Sequence, residues 1–244
     1  MKAAIITGAA GGIGQALCEE FTKAGYAVVA TDRSPGSPTC HRFVQLDIRE
    51  ACRDQESRQR IRAELLAAIG GQPLGVLVNN AAIQILGATE TVTTNDWQET
   101  LETNLLAPFL LAQLFLPELS AANGSVVNIA SIHAVQTKPA FIAYATSKAA
   151  LVGMTRAMAV DLGARVRINA LLPAAVNTPM LAAGFAGNEA GFAALGAVHP
   201  LGRIAHTSEV ARTAVFLASE QASFISGAAL LVDGGIAGRL HDPA

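Results

Sequence analysis

The sequence predicts an α/β protein: a doubly wound, central parallel sheet of about seven strands with helices on both faces, in a single domain spanning residues 1–244. Three observations predict it. Short apolar runs recur along the whole chain, most without the alternation of a half-exposed strand, as expected for strands buried on both faces. Helix-length stretches separate them, and the first run passes directly into a glycine-rich turn.

In chain order, Ala3–Ile6 reads as the first strand and Thr7–Gly14 as the turn, followed by a helix from Gln15 to Ala24. Ala27–Val29 is the second strand; Ser34-Pro35-Gly36-Ser37-Pro38, dense in turn formers, is a surface loop. Phe43–Leu46 is a strand, Gln55–Ile69 a helix, Val76–Val78 a strand. One long helix is predicted over Asn95–Leu119, started by the capping side chains of Thr94, Asn95 and Asp96. The strand Val126–Ile129, the helix Ala143–Leu162 and the strand Val166–Leu171 follow. Residues 180–200, with four glycines among small apolar residues, read as an irregular segment able to move over a pocket. Thr207, Ser208 and Glu209 start a helix over Ser208–Ala218, and Ala229–Val232 is the last strand.

Of the 244 residues, 51% are apolar and only 15% charged, against about 25% in an ordinary soluble domain. A chain this long buries a large core without disulfides or metals. Seventeen Lys and Arg against nineteen Asp and Glu leave a net charge of -2, with no basic run to neutralise a row of phosphates, so a nucleic-acid partner is not expected. Three cysteines without C-x-x-C spacing signal neither a disulfide framework nor zinc, and a reducing cytoplasm fits best. His41, His199, His206 and His241 are scattered without metal-ligand spacing. The greasiest later stretch, Leu105–Leu119, is broken by two prolines, a glutamine and a glutamate, short of the ~20 apolar residues that span a bilayer.

Glycines at 8, 11, 12 and 14 let the backbone approach a pyrophosphate at a helix N-terminus. The G-x-G-x-x-G spacing is not met, since Leu17 stands where the third small residue is due. Eighteen residues after Gly14, Asp32 lies near the ~20-residue offset at which an acid bonds the adenosine ribose hydroxyls and repels a 2′-phosphate, which favours NAD over NADP. Asp32 could also cap the Ser34-Pro35 turn, and Arg33 beside it could pair with a 2′-phosphate. Asp47 could reach the adenine edge or form a turn.

Tyr144 and Lys148 stand four residues apart, on one helical face. A phenol with a pKa of about 10 is a poor base at neutral pH, and a nearby cation favours the phenolate. An exposed helix pair would leave the same trace. Ser131, thirteen residues upstream, ends a strand, and Asn104 lies in the long helix before it.

At these residues the sequence resembles the short-chain dehydrogenase/reductase family over nearly its whole length. Thr7–Gly14 matches that family's T-G-x-x-x-G-x-G spacing, Asn79-Asn80-Ala81-Ala82 its N-N-A-G turn, and Asp233-Gly234-Gly235 its last-strand ending. Asn104, Ser131, Tyr144 and Lys148 match its four catalytic positions, and Pro173–Thr178 its nicotinamide loop. Ala82 and Ala174 stand where glycine is usual, and each would be strained by about 1 kcal/mol if its site required positive φ.

The resemblance implies a Rossmann-type fold, its first hundred residues mainly dinucleotide-binding and the remainder catalytic and oligomer-forming. It implies NAD contacts from Gly8, Gly12, Ile13, Gly14, Asp32, Asp47, Ile48, Asn80, Ala81, Tyr144, Lys148, Pro173, Val176 and Thr178. It also implies a reaction: Tyr144 takes the hydroxyl proton as hydride leaves the carbinol carbon for nicotinamide, Ser131 bonds the substrate oxygen, Lys148 lowers the tyrosine pKa and holds the ribose, and Asn104 holds a water. Gln84, Ser131, His133 and Tyr144 are the substrate candidates, with Gln136, Ala175, Met180 and Leu181 beside them; their polarity suits a small sugar, polyol or hydroxy acid. His133 could equally be merely packed or solvated.

An NADPH-dependent 3-oxoacyl-(acyl-carrier-protein) reductase shares these residues but wants a basic cofactor pocket. A non-catalytic nucleotide-binding regulator has no need of all four reactive positions. The stretches Asn104–Leu116 and Ala149–Val160 are apolar almost all round, and in the family such helices pack on a second subunit, so a homo-oligomer, tetramer or dimer, is expected.

Overall fold

The computed structural model describes residues 1–240; His241, named among the scattered histidines, lies outside them. Seven parallel strands form one sheet in the order β3-β2-β1-β4-β5-β6-β7: β1 Ala3–Thr7, β2 Ala27–Asp32, β3 Arg42–Gln45, β4 Leu74–Asn79, β5 Ser125–Ile129, β6 Arg167–Pro173 and β7 Ala229–Val232. The helices are α1 Gly12–Lys23, α2 Gln55–Ile69, α3 Thr94–Leu101, α4 Ala107–Leu114, α5 Leu116–Ala121, α6 Ile142–Leu162, α7 Pro179–Ala183, α8 Glu189–Val198 and α9 Thr207–Ala218.

Alternate residues of one strand feed two cores. Ala3 and Ile5 of β1 pack into the layer holding Leu65, Leu111 and Phe115 of the α2–α4 side. Ala4 and Ile6 pack into the layer holding Leu17, Phe21 and Leu217 of α1 and α9. Both faces of the strand are thus apolar, as a covered parallel sheet requires. Strand order reverses between β1 and β4, where such sheets open a ligand crevice at their carboxyl ends.

Two expectations fail locally. The single helix over Asn95–Leu119 is instead α3, a π turn over Glu102–Leu106, α4 and α5. Pro108 has no N–H to donate to the carbonyl of Asn104 four residues back, and the ladder shifts by one residue, with Ala107 N–H donating to the Glu102 carbonyl. The helix also starts earlier: Thr93 accepts from Asp96 N–H, and the Asp96 carboxylate accepts from Thr93 N–H in return. The segment 180–200 is not irregular but holds α7, capped by Thr178, and α8, capped by Asn188.

Ala82 and Ala174 both have negative φ, so the strain conditional on positive φ does not arise. It falls on Ala140, at φ 69°, in the loop leading to α6.

No helix among the described residues is long and apolar enough to cross a membrane. The outer face of α6 presents Ala149, Gly153, Ala157 and Val160, the last 82% exposed, and Leu106 beside α4 is 41% exposed. The stretch on α6 is therefore not covered within one chain, whereas Asn104–Leu116 is covered apart from Leu106 and Gln113.

Candidate active site

A cavity of about 900 Å³ opens at the carboxyl ends of the strands, and every predicted site residue except Asn104 and Gln136 lines it. At one end lies the glycine turn. Gly8 adopts φ +65°, and a Cβ at Gly14 would lie 2.0 Å from the Gly8 carbonyl, so only glycine lets the turn close on the helix. Thr7 and Asn80 lock the turn to β4. The Thr7 hydroxyl accepts from Asn80 and Ala81 N–H at 3.0 Å, and the Asn80 amide donates to the Thr7 and Gly8 carbonyls at 2.9 and 3.0 Å. Asn80, predicted as a cofactor contact, thus has both amide protons committed to holding the turn. Thr7 was legible only as the first letter of the motif.

The N-terminus of α1 carries no side-chain cap and no acid in its first turn, so its N–H groups face the cavity free for an anion. Asp32, at the end of β2, accepts from Ala10 N–H at 3.0 Å and from Ser34 N–H at 2.9 Å. Asp32 therefore caps the turn, and its carboxylate also lines the cavity. Asp47 accepts from Arg49 N–H at 2.9 Å while lining the wall with Ile48. A phosphate-accepting helix end followed by a carboxylate at ribose distance in sequence is a donor and acceptor set that fits a dinucleotide.

At the other end, Ser131 follows β5, and its hydroxyl accepts from His133 N–H at 3.2 Å. One turn of α6 places Tyr144 and Lys148 beside it, with Lys148 Nζ 5.7 Å from the Tyr144 ring centroid. Lys148 is 2% exposed and donates to the Ile129 carbonyl at 2.8 Å; burial pushes its pKa down to about 7. Burial pushes the Tyr144 phenol up, with the Ser131 hydroxyl working in the opposite direction. In the chain by itself desolvation sets the direction, contrary to the simple expectation of a lowered tyrosine pKa.

Asn104 is fully buried and backs the site without lining it. Its side-chain oxygen accepts from Ile83 N–H, and its amide donates to the Ile83 carbonyl and to Ser147 Oγ, all within 2.9–3.0 Å. Ser147 in turn donates to the Tyr144 carbonyl at 2.7 Å. The side chain is thus occupied by protein groups.

His133 stacks on Phe141, centroids 4.4 Å apart, and meets Tyr144 edge-on at 5.8 Å. Burial, aided by the Lys138 charge, pushes its pKa down to about 4. Gln136 is not in the wall; its amide donates to the Ala237 carbonyl at 3.1 Å. Ala175, Met180 and Leu181 do line the cavity, as does His199, read from the sequence only as one of the scattered histidines; Lys138, Phe141 and Phe185 also line it and went unremarked because loop and lid residues carry no periodicity. Among the described residues no cluster of three or more His, Cys, Asp or Glu is arranged to hold a metal.

A family profile described as Enoyl-(Acyl carrier protein) reductase matches residues 8–237. D-threitol dehydrogenase of Mycolicibacterium smegmatis is 34% identical over 96% of this chain and 92% of its own length. The chain belongs to the short-chain dehydrogenase/reductase family. Trans-4-hydroxycyclohexanecarboxylate dehydrogenase of Sinomonas cyclohexanicum is a similar relative, 34% identical with 96% and 92% covered. Among solved structures, ligand-free aldohexose dehydrogenase of Thermoplasma acidophilum superposes with a TM-score of 0.92 at 31% identity, covering 100% of this chain and 96% of that one. As a member of this family the protein is an oxidoreductase acting on CH–OH groups with NAD(P).

Proposed function

We propose that this short-chain dehydrogenase/reductase interconverts a secondary alcohol and a ketone of a small polar substrate with NAD, using Tyr144 as general acid and base. The observation that carries the reading is the placement of Ser131, Tyr144 and Lys148 on one wall of the same cavity that the free N-terminus of α1 opens into. When bound, the dinucleotide supplies the hydride acceptor. The chain supplies the rest. Ser131 orients the substrate oxygen, and Tyr144 takes its proton in oxidation or returns it in reduction. Lys148, when protonated, places a cation next to the phenol, and it would donate to the nicotinamide ribose. Asn104, through Ser147, positions the turn of α6 that carries both side chains.

Asp32 supports NAD, because its carboxylate at the end of β2 would repel a 2′-phosphate. Phosphates would lie on Gly12, Ile13 and Gly14, and the nicotinamide end against Pro173, Val176 and Thr178. Relatives named for a tetritol and a hydroxylated carboxylic acid support a small hydroxylated substrate. The three cysteines are free, which supports a reducing compartment, the cytoplasm. The exposed apolar residues of α6 and the exposed Leu106 before α4 support a homo-oligomer.

The test follows NADH appearance over a panel of polyols, sugars, hydroxy acids and secondary alcohols, with NADPH-driven reduction of a 3-oxoacyl thioester as the competing arm. Tyr144→Phe is expected to keep NAD binding and lose turnover by about 10²-fold or more. Near-native turnover in that variant, or no signal with any alcohol, would overturn the reading.

A further inference from the structure

We propose that the substrate end of the cavity recognises an anion: Lys138 pairs with the carboxylate of a small hydroxy acid whose hydroxyl lies at Ser131 and Tyr144. The inference rests on the hydride-transfer reading and narrows its substrate class. The acidic side chains in the cavity wall, Asp32 and Asp47, both lie at the end after β2 and β3, where Arg33 and Arg49 accompany them. Around Ser131 and Tyr144 the wall holds no carboxylate; its cations there are Lys148, which donates to the Ile129 carbonyl, and Lys138, beside neutral groups such as Gln84.

Lys138 has no carboxylate within ion-pair distance among the described residues, and its ammonium sits 4.7 Å over the Phe141 ring. Phe141 stacks on His133 and lies 6.1 Å, edge-on, from the Tyr144 ring. The Phe141 ring therefore joins the Tyr144 ring to the unpaired cation in one aromatic wall. Burial pushes the His133 pKa down to about 4, with the Lys138 charge adding to it, so the ring is a neutral hydrogen-bonding wall at neutral pH and the field of Lys138 is felt inside the cavity.

The cation is also held on a braced loop. Gln136 is tied to the Ala237 carbonyl, and the Ala140 carbonyl accepts from Gly87 N–H at 2.9 Å. A neutral polyol offers this exposed ammonium no more than water does, whereas a carboxylate would make a charge-assisted contact.

Initial rates with NAD are measured for lactate, glycerate and 3-hydroxybutyrate and for the primary amides of the same acids, in the native protein, Lys138→Gln and Lys138→Arg. The native protein is expected to favour acid over amide by roughly tenfold or more in kcat/KM. Lys138→Gln is expected to raise KM for the acids by a similar factor with kcat little changed and the amides unaffected, and Lys138→Arg to restore most of the preference. Equal use of acid and amide, or an equal effect of Lys138→Gln on both, would overturn the proposal. A lack of turnover with every alcohol would count against hydride transfer rather than the anion site. Calorimetric titration of the three acids into NAD-loaded Tyr144→Phe then decides: affinity lost in Lys138→Gln supports the site, and unchanged affinity refutes it.

Discussion

The Lys148 ammonium donates to the Ile129 carbonyl at 2.8 Å, and no carboxylate lies within ion-pair distance of it among the described residues. A cation buried on a single strand carbonyl is poorly compensated, and its pKa is pushed down to about 7. The unfolded chain keeps that proton up to the ordinary lysine range of about 10.4, while the folded chain gives it up near neutrality. Across that window the unfolded state binds more protons, so this group makes stability rise with pH. In urea denaturation without dinucleotide, the stability of the native protein relative to Lys148→Met is expected to grow by at least ~1 kcal/mol between about pH 6 and about pH 9. A difference that stays flat would mean that the buried ammonium keeps its ordinary pKa.

Asp32 joins a structural duty to its place in the cavity. Its two oxygens accept from Ala10 and Ser34 N–H, so removing the side chain outright would also loosen the turn. Asp32→Asn keeps the shape and one of the two acceptors and removes the charge that opposes a 2′-phosphate. The ratio of kcat/KM with NADP to that with NAD is expected to rise roughly tenfold, or about 1.4 kcal/mol. An unchanged ratio would place cofactor discrimination elsewhere, with Arg33 as the next residue to test.

Asn104 ties the loop after β4 to the middle of α6 through three hydrogen bonds. Asn104→Ala would strand the Ile83 N–H and carbonyl and the Ser147 hydroxyl behind the site. A loss of about 2 kcal/mol or more follows from those buried groups, together with a drop in kcat as the Tyr144 turn loosens. Thermal melting of the variant read beside its turnover checks both; a native-like melt with low turnover would instead assign Asn104 a direct part in the chemistry.

What was legible in the sequence follows from what is local. The seven strands are read from continuous apolar runs, and Gln55–Ile69 coincides end to end with α2 because Asp54 and Gly70 punctuate it. The glycine turn, Tyr144 and Lys148 are legible because their spacing is itself the geometry. The π turn is not, since it depends on Pro108 withholding a donor within an otherwise helical pattern. Lys138 and Phe141 reach the cavity through tertiary placement of a loop, and the packing of Thr178 against Gly12, where a Cβ would lie 3.0 Å away, joins residues far apart in sequence. Alternation and spacing carry no such information.

Ala140 is a test of that loop. At φ 69° an alanine pays for a left-handed backbone that glycine adopts freely, at about 1 kcal/mol. Ala140→Gly is expected to be neutral or stabilising by up to ~1 kcal/mol, the gain being offset in part by the freer unfolded chain. Ala140→Val, with a branched Cβ at the same φ, is expected to destabilise by at least ~1 kcal/mol. The ordering of the two variants in urea denaturation is the measurement, and a valine variant as stable as the glycine one would show the loop relaxing out of the left-handed region.

The low charge of the chain bears on its assembly. Ala149, Gly153, Ala157 and Val160 follow one another at helical spacing along the exposed face of α6, broken only by Arg156, and the small side chains there permit close approach of another helix. Leu106 is 41% exposed, and β7 at the sheet edge exposes Leu230 and Leu231 at 39% and 42%. Surface of this kind, on a chain with 15% charged residues, favours a second copy over water. Light scattering at micromolar concentration is expected to report a dimer or tetramer. Gly153→Arg combined with Val160→Glu places two large charged groups on the same face and is expected to shift the mass towards the monomer while leaving the far-ultraviolet circular dichroism unchanged. A native protein that scatters as a monomer would mean that these faces stay in water, and an unshifted double variant would move the interface to the β7 edge.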